Sequence, residues 1–331
     1  MCATQYRRFI DRVLILLIFA LASTPHTGNA QYPIKPITVV VPFTVGTGMD
    51  IIGRTLGQRL TQTLGQAIVV DNRAGASGNL GTEFVAKANP DGYTLLLTGT
   101  SFGINPAINK SLRYDPVKNF ESIIQLASAT MSLVVNNKTP VQSVRELVDL
   151  AKKRPGELNY GSPGNGTLHH VTMELFKNEA GISVTHIPYK GTTGAINDIV
   201  GGQLNVMFLP MAVALPLIRN DAQIGIRMIA ILSNDRSQLL PNVPTMKEVG
   251  YANVHTEFWY GLFAPAGTPN PIIARLNAEV NSMLQAPFLK DVLVKQGMNP
   301  LGGTALQLSD HVKSEITRWQ RVVAAAKIQA D

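Results

Sequence analysis

Ile37-Thr-Val-Val-Val-Pro-Phe-Thr-Val-Gly-Thr-Gly-Met-Asp50 passes from a β-branched run into a glycine-rich turn. The run suits a strand buried on both faces, and the turn lies where such a strand hands over to a helix. Beyond it, Ile52, Leu56, Leu60 and Leu64 recur at helical spacing until Gly65 stops the helix. The same order then repeats. Residues 67–70 read as a strand, 72–81 as a turn, 93–98 as a strand and 143–153 as a helix ended by Pro155-Gly156. Residues 158–161 read as a strand, 169–180 as a helix, 184–187 as a strand, 193–201 as a helix and 206–209 as a strand. This alternation predicts parallel sheets with helices on both faces.

Two stretches lack the rhythm. Residues 120–136 form a long, mostly apolar run with little Gly or Pro, and 255–265 a second one carrying Phe258, Trp259, Tyr260 and Phe263. Read as strands crossing between domains, they divide the chain into a discontinuous lobe, residues 31–130 with 256–331, and a central lobe, residues 131–255. The C-terminal part is helical, with apolar stripes at Ile272, Ile273, Leu276, Val280 and Leu284 and at Ile316, Trp319 and Val323. The expected fold class is α/β, with two α/β lobes joined by two crossing segments. A ligand in such a molecule sits in the interlobe cleft, beyond the carboxyl ends of the strands.

The length of 331 residues suits two domains. A net charge of +7 invites an anionic partner, yet Arg7, Arg8 and Arg12 precede the apolar run 13–22, followed by small residues at Gly28-Asn29-Ala30. Residues 1–30 are therefore expected to be a secretory signal peptide cut after Ala30, the run being shorter than the about 20 apolar residues of a bilayer span. Its loss takes away three Arg, one Asp and the single Cys, so the charge falls from +7 to +5 and no thiol remains. Disulfides, cysteine metal sites and a cysteine nucleophile are then excluded. The remaining charge is dispersed, with Lys152-Lys153-Arg154 its densest cluster. Without a basic stripe and interleaved aromatics, nucleic acid falls away as a partner.

The chemistry lies in the strand-to-helix turns. Residues 44–50, 75–81 and 161–167 are each rich in glycine and hydroxyl groups. Each places backbone N–H groups at a helix N-terminus, where the positive dipole end and small side chains admit an anion. For any one of them the plainer reading is a tight turn in which Asp50 or Thr167 caps its own helix. Three in one two-lobed chain point to an anion cleft. The first turn lacks the third glycine of a dinucleotide fingerprint and the Gly-Lys-Ser/Thr of a P-loop, and no cofactor is expected.

Gly99-Thr-Ser-Phe-Gly103 matches a nucleophile elbow after a strand and makes Ser101 the candidate nucleophile of an alternative serine hydrolase. Ile104-Asn-Pro106 is expected to interrupt the helix that should follow, and no His-Gly-Gly oxyanion motif precedes it. His169-His170 with Glu174 suggests a metal, but neighbouring helical positions point about 100° apart, so a capping or surface role is expected for the pair. No metal site is expected. His186 reads as a packing residue, and no carboxylate pair is set for acid–base work.

Motifs along the chain resemble a known family. They are Pro42-Phe43 with Gly46, Gly48 and Asp50, then Val70-Asp-Asn-Arg-Ala-Gly75 with Gly78-Asn79, Asn89-Pro-Asp-Gly-Tyr-Thr-Leu95, Asn105-Pro106 and Tyr114-Asp-Pro116. Asn159-Tyr-Gly-Ser162, Gly164-Asn-Gly-Thr167, His170, His186-Ile-Pro-Tyr-Lys-Gly191, Gly201-Gly-Gln203, Leu240-Pro-Asn-Val-Pro-Thr245 and Pro265-Ala-Gly-Thr-Pro269 continue the series. Together they are similar to the Bug-type receptors, the extracytoplasmic solute-binding proteins of tripartite tricarboxylate transporters. The resemblance spans essentially everything after residue 30, in one order. It implies a periplasmic-binding-protein (Venus flytrap) fold and a periplasmic location. It also implies a small carboxylate held in the cleft, partly through waters and backbone groups, and the membrane components of such a transporter as partners. A binding protein that acts as a monomer, not an enzyme, is expected; a ligand sensor for a membrane kinase is the other non-enzymatic reading.

Carried onto this chain, the resemblance makes Phe43, Thr44, Gly46, Thr47, Gly48, Met49, Asp50 and Ser101 ligand-binding residues on one side. Ser162, Gly164, Asn165, Gly166, Thr167, Tyr189 and Leu209 are their counterparts on the other. Neutral donors suit a receptor that must also release its ligand. Val45 stands where the family usually has proline, Thr47 where it has glycine and Met49 where it has a hydroxyl residue; Met49 adds an adaptable apolar wall. Leu209-Pro210 follow Phe208 where many members carry an Asp. The expected ligand is a carboxylate with an apolar or aromatic body, ahead of a plain polycarboxylate.

Overall fold

A computed structural model describes residues 32–218, 225–295 and 297–325; the leader read at residues 1–30 lies outside the described residues. The β-branched run gives strand β1 (Ile37–Val41), and the helical spacing after it gives α1 (Gly48–Leu64). Gly65 ends α1 in the left-handed conformation, φ 69°, with its N–H bonded to Thr61 C=O, a close that glycine makes without a Cβ penalty. The alternation continues through β2 (Ile68–Asn72), α2 (Asn79–Ala86), β3 (Thr94–Gly99) and α3 (Ser101–Ile108). After the long β4 (Phe120–Asn136) come α4 (Val144–Lys153), β5 (Asn159–Ser162), α5 (Leu168–Ala180), β6 (Thr185–Pro188), α6 (Thr192–Gly201) and β7 (Val206–Pro210). The short α7 (Met211–Ala214), β8 (Ile226–Ile231), β9 (Glu257–Pro265), α8 (Asn270–Gln285), α9 (Pro287–Lys295), β10 (Met298–Pro300) and α10 (Ala305–Ala325) complete the chain.

The strands form one curled sheet in the order β2-β1-β3-β9-β4-β7-β5-β6, with β8 and β10 also paired to β4. The βαβ units are parallel, as the alternation requires: β1 pairs β2 and β3, and β5 pairs β6 and β7. The two segments without rhythm are the antiparallel joints of the sheet, so the expectation of parallel sheets holds only for the βαβ units. A strand of 17 residues spans about 56 Å, far beyond the usual strand. β4 therefore serves both halves: it pairs β9 from Phe120↔Pro265 to Thr130↔Glu257, and β7 from Met131↔Pro210 to Val135↔Val206. Each half has its own core. Val40, Leu96, Phe102, Phe120, Trp259, Phe263 and Leu308 fill one; Val134, Ile199, Leu204, Met207, Leu209 and Ile226 fill the other.

One local expectation fails. Pro106 lies inside α3 and does not interrupt it. A proline there removes the N–H that would reach Phe102 C=O and crowds that carbonyl with its ring, and the helix closes shortly after through Asn109 N–H to Asn105 C=O at 2.8 Å. Burial of Phe102 and Ile104 offsets the lost bond.

Candidate functional site

Four helices begin at one cavity. At the start of α1, Thr47 Oγ1 accepts the Asp50 N–H at 3.4 Å, while the Asp50 carboxylate accepts the Gly46 N–H and Arg54 Nε–H, both at 3.0 Å. This is a capping box whose acid reaches one residue further back than usual. Burial pushes the Asp50 carboxyl up, but hydrogen bonds from Arg54, Gly46 and Asn72 outweigh it and hold the group below the usual carboxylate range. Committed to its own loop, Asp50 stands behind the wall that Phe43, Gly46, Thr47, Gly48 and Met49 form.

Asp50→Asn is expected to cost about 1–2 kcal/mol at neutral pH. Since folding lowers this pKa, the contribution is complete above the unfolded value of about 3.9 and disappears as pH falls through the folded value. The stability gap between wild type and variant, read from urea midpoints, should hold from about pH 7 to about pH 5 and narrow below about pH 4. A gap that persists undiminished in strong acid would contradict this.

The other three helices lack a side-chain cap. Thr167 turns its hydroxyl back to Gly164 C=O at 2.7 Å, Thr100 Oγ1 accepts the Trp259 N–H at 3.0 Å, and Gly191 has no side chain to offer. The first turns of α3, α5 and α6 line the cavity through Ser101, Thr167 with His169, and Thr192 with Thr193. First-turn N–H groups and the positive ends of helix dipoles thus converge. Ile196, Pro210, Val213, Phe258, Tyr260 and Met49 supply an apolar wall, and among the described residues no Lys, Arg, Asp or Glu lines the cavity. The centre of a water-sized sphere can move through about 60 Å³ of it, several times the roughly 10–15 Å³ that one water needs.

The remaining candidate residues lie elsewhere. Thr44, Gly164, Asn165 and Tyr189 line an adjoining outer pocket together with residues 74–77. There the Ser77 hydroxyl donates to Asn165 C=O, and the Tyr189 hydroxyl is already engaged by Asp198. Burial and then the Asp198 carboxylate push the Tyr189 phenol up to about 12. Ala76 and Ser77 adopt left-handed φ values of 47° and 56°, a conformation that needs bracing in residues with a Cβ. Asn105 Nδ2 donates to Ser77 C=O at 3.4 Å and to Asn79 Oδ1 at 2.6 Å, and the Tyr114 hydroxyl donates to Asn79 Oδ1 at 2.7 Å. Three separate motifs therefore form one brace. The turn 75–81 does not reach the cavity as the three-turn reading expected. A Cβ on Gly81 would lie 2.9 Å from Pro42 Cβ, and Gly78 packs on the Phe43 ring, so this turn backs the first one.

Ser162, Gly166 and Leu209 are also off the wall. Ser162 is fully buried, with Oγ 2.7 Å from His186 Nε2, and His186 stacks between Tyr160 and His170 at centroid distances of 4.6 and 4.4 Å. The Gly166 N–H is spent on His170 Nδ1 at 3.1 Å. Leu209 sits opposite Ser132 and points into the core; strand alternation puts its neighbour Pro210 on the cavity instead. Ser101 does reach the cavity, but the imidazole on that wall, His169, makes no hydrogen bond to it.

His169, Thr192, Thr193, Ile196, Phe258 and Tyr260 were not among the candidates. The expected capping or surface role holds only for His170, which accepts the Gly166 N–H; His169 is 5% exposed, with its ring against Phe258 at 6.1 Å. Desolvation pulls the His169 pKa down to about 3. A signal existed for two of the others: alternate residues of a strand share a face, so Phe258 and Tyr260 had to point together.

A two-lobed α/β molecule with helix N-termini gathered on a cavity that no described charged side chain lines has the architecture of a solute-binding protein. The profile described as "Tripartite tricarboxylate transporter family receptor" matches residues 52–328, and the chain belongs to that family. It is similar to the periplasmic binding protein BugD, with 30% identity, a TM-score of 0.85 and coverage of 90% of this chain and 99% of BugD. A Rhodopseudomonas palustris protein solved with adipate shares 34% identity, TM-score 0.86, over 90% of this chain and 99% of its own. MatC of the same organism, solved with bound malate, shares 31% identity, TM-score 0.83, over 88% of this chain and all of its own. Among the described residues no helix is long and apolar enough to cross a membrane.

Proposed function

We propose that this protein captures a small carboxylate with an apolar body in the cavity and delivers it, in the periplasm, to the membrane components of a tripartite tricarboxylate-type transporter. The observation that carries the reading is the convergence of the N-termini of α1, α3, α5 and α6 on a cavity that, among the described residues, no charged side chain lines. Such a wall stabilises an anion through partial charges and leaves it free to depart. The adipate and malate bound by relatives support a carboxylate, and the Met49, Ile196, Val213 and Phe258 surfaces support an apolar body. Phe43, Gly46, Thr47, Gly48, Met49, Ser101 and Thr167 act directly. Thr44, Gly164, Asn165 and Tyr189 act at the rim, while Asp50, Ser162, Gly166 and Leu209 act from behind. The lobes are residues 31–130 with 256–331, and 131–255, a division supported by the change of β4 partners between Thr130 and Met131. The protein works as a monomer and turns nothing over.

The test is a melting-temperature screen against aliphatic and aromatic carboxylates, followed by titration and product analysis. A ligand at a hundredfold excess over Kd is expected to add about 2.7 kcal/mol, a rise of roughly 5–10 °C. No stabilisation by any carboxylate would overturn the reading, as would ester hydrolysis that is lost in Ser101→Ala.

A further inference from the structure

The two lobes also meet outside the cavity. At its mouth the Ser77 hydroxyl of the discontinuous lobe donates to Asn165 C=O of the central lobe. Ser77 does not line the cavity, so this bond needs no ligand atom. Its presentation is built in. Ala76 and Ser77 both hold left-handed φ values, a conformation that persists in residues with a Cβ only where the surroundings fix it. The bracing comes from one side: Asn105 Nδ2 donates to Ser77 C=O and to Asn79 Oδ1, and the Tyr114 hydroxyl donates to that same Asn79 oxygen, all within the discontinuous lobe. Glycines clear the facing surface. A Cβ on Gly164 would lie 2.8 Å from Ser77 Oγ, one on Gly166 3.2 Å from Asn105 Oδ1 and one on Gly191 2.7 Å from Thr44 Cγ2. Three polar side chains of one lobe thus meet three bare positions of the other, and a hinge movement that opens the lobes parts all three contacts.

We infer that Ser77 is a positioning residue whose hydrogen bond to Asn165 C=O latches the lobes from outside the cavity and slows the release of every ligand alike. The inference rests on the lobe division and the carboxylate capture proposed above. A contact made only when the lobes are closed must break before the ligand leaves, so it acts on dissociation; encounter with the open form does not involve it. Because the latch touches no ligand atom, it changes residence time without changing which acid is preferred.

Two substitutions separate the latch from the turn that carries it. Ser77→Ala removes the hydroxyl and keeps the strained turn, whereas Ser77→Gly removes the hydroxyl and relieves the strain. Stopped-flow binding and release of adipate, malate and benzoate is measured on both. Energy transfer in the unliganded chain is measured between dyes on Lys110→Cys and Lys153→Cys, exposed positions of the two lobes. Both Ser77 variants are expected to release each acid that wild type binds about 3–10-fold faster, with association changed by less than about twofold, and to shift the free chain towards the open form by a similar factor. The factor should agree among the acids to within about twofold. Faster release in Ser77→Ala alone would mean that the hydroxyl serves the turn, and overturns the inference. Factors that differ widely among the acids, or release unchanged in both variants, overturn it as well and leave carboxylate capture standing. If wild type binds none of the three acids, that counts against the carboxylate reading, and the dye distances decide the latch by themselves: an unchanged distribution overturns it, and a shift towards the open form upholds it.

Discussion

Glu315→Ala is expected to lower stability by about 2–5 kcal/mol, with a fall in melting temperature of roughly 5–15 °C. Glu315 lies on α10 and is 6% exposed. Its Oε2 accepts the Trp319 Nε1–H at 2.9 Å and the Trp259 Nε1–H at 3.3 Å, and its Oε1 accepts Arg318 Nη1–H at 3.1 Å. Arg318 is partly in solvent and loses little, but truncation leaves two buried indole donors without an acceptor, each worth about 1–3 kcal/mol. Glu315→Gln keeps an oxygen for the indoles and should cost about 1 kcal/mol. The chain has two tryptophans, both bonded to this carboxylate, so urea unfolding followed by their emission reads the network directly. Loss of less than about 1 kcal/mol in Glu315→Ala would mean that the indoles find other acceptors. The consequence reaches the ligand site: Trp259 lies between Phe258 and Tyr260 on β9, so the carboxylate holds from behind the strand whose other face lines the cavity.

Gly48→Ala is expected to weaken carboxylate binding by at least about 100-fold while costing about 1–3 kcal/mol of stability. Gly48 opens α1, and a Cβ there would lie 2.5 Å from the Tyr260 hydroxyl oxygen and 2.8 Å from Met298 Cε. The methionine can yield. Tyr260 is held in β9 between β3 and β4 and can move only into the cavity or by parting the helix from the sheet. Either movement displaces the donors at the start of α1. Combining Gly48→Ala with Tyr260→Phe removes the atom that the methyl meets, so the pair should be less destabilised than the sum of the single changes. Titration and urea unfolding of the four proteins of this cycle test it; strict additivity would show that the contact does not form.

Much of the fold was legible because its signals are local. The β-branched run at 37–41, the spacing from Ile52 to Leu64 and the left-handed stop at Gly65 each depend on a few adjacent residues. The two long segments at 120–136 and 255–265 stood out by their lack of rhythm, and both became strands. Asp50 and Thr167 show where such reading stops. Both were candidates by type and position, but Asp50 spends its carboxylate on Gly46 and Arg54, whereas Thr167 faces the cavity and leaves its helix uncapped. Leu209 and Pro210 differ by one position in a strand, and that one step decides between core and cavity.

The sequence by itself determined the βα alternation, the two long strands, the glycine-rich starts of α1 and α5 and the dispersed charge, because periodicity, turn chemistry and composition are properties of short stretches. Only the tertiary structure decided which of those stretches face one another. It retired the turn 75–81 to a supporting role, brought the start of α6 and the β9 aromatics onto the cavity wall, and separated His169 from His170. Those outcomes depend on strand order and on which side of a sheet or helix meets a partner from another segment, and a chain read in sequence order does not carry that information in any one segment.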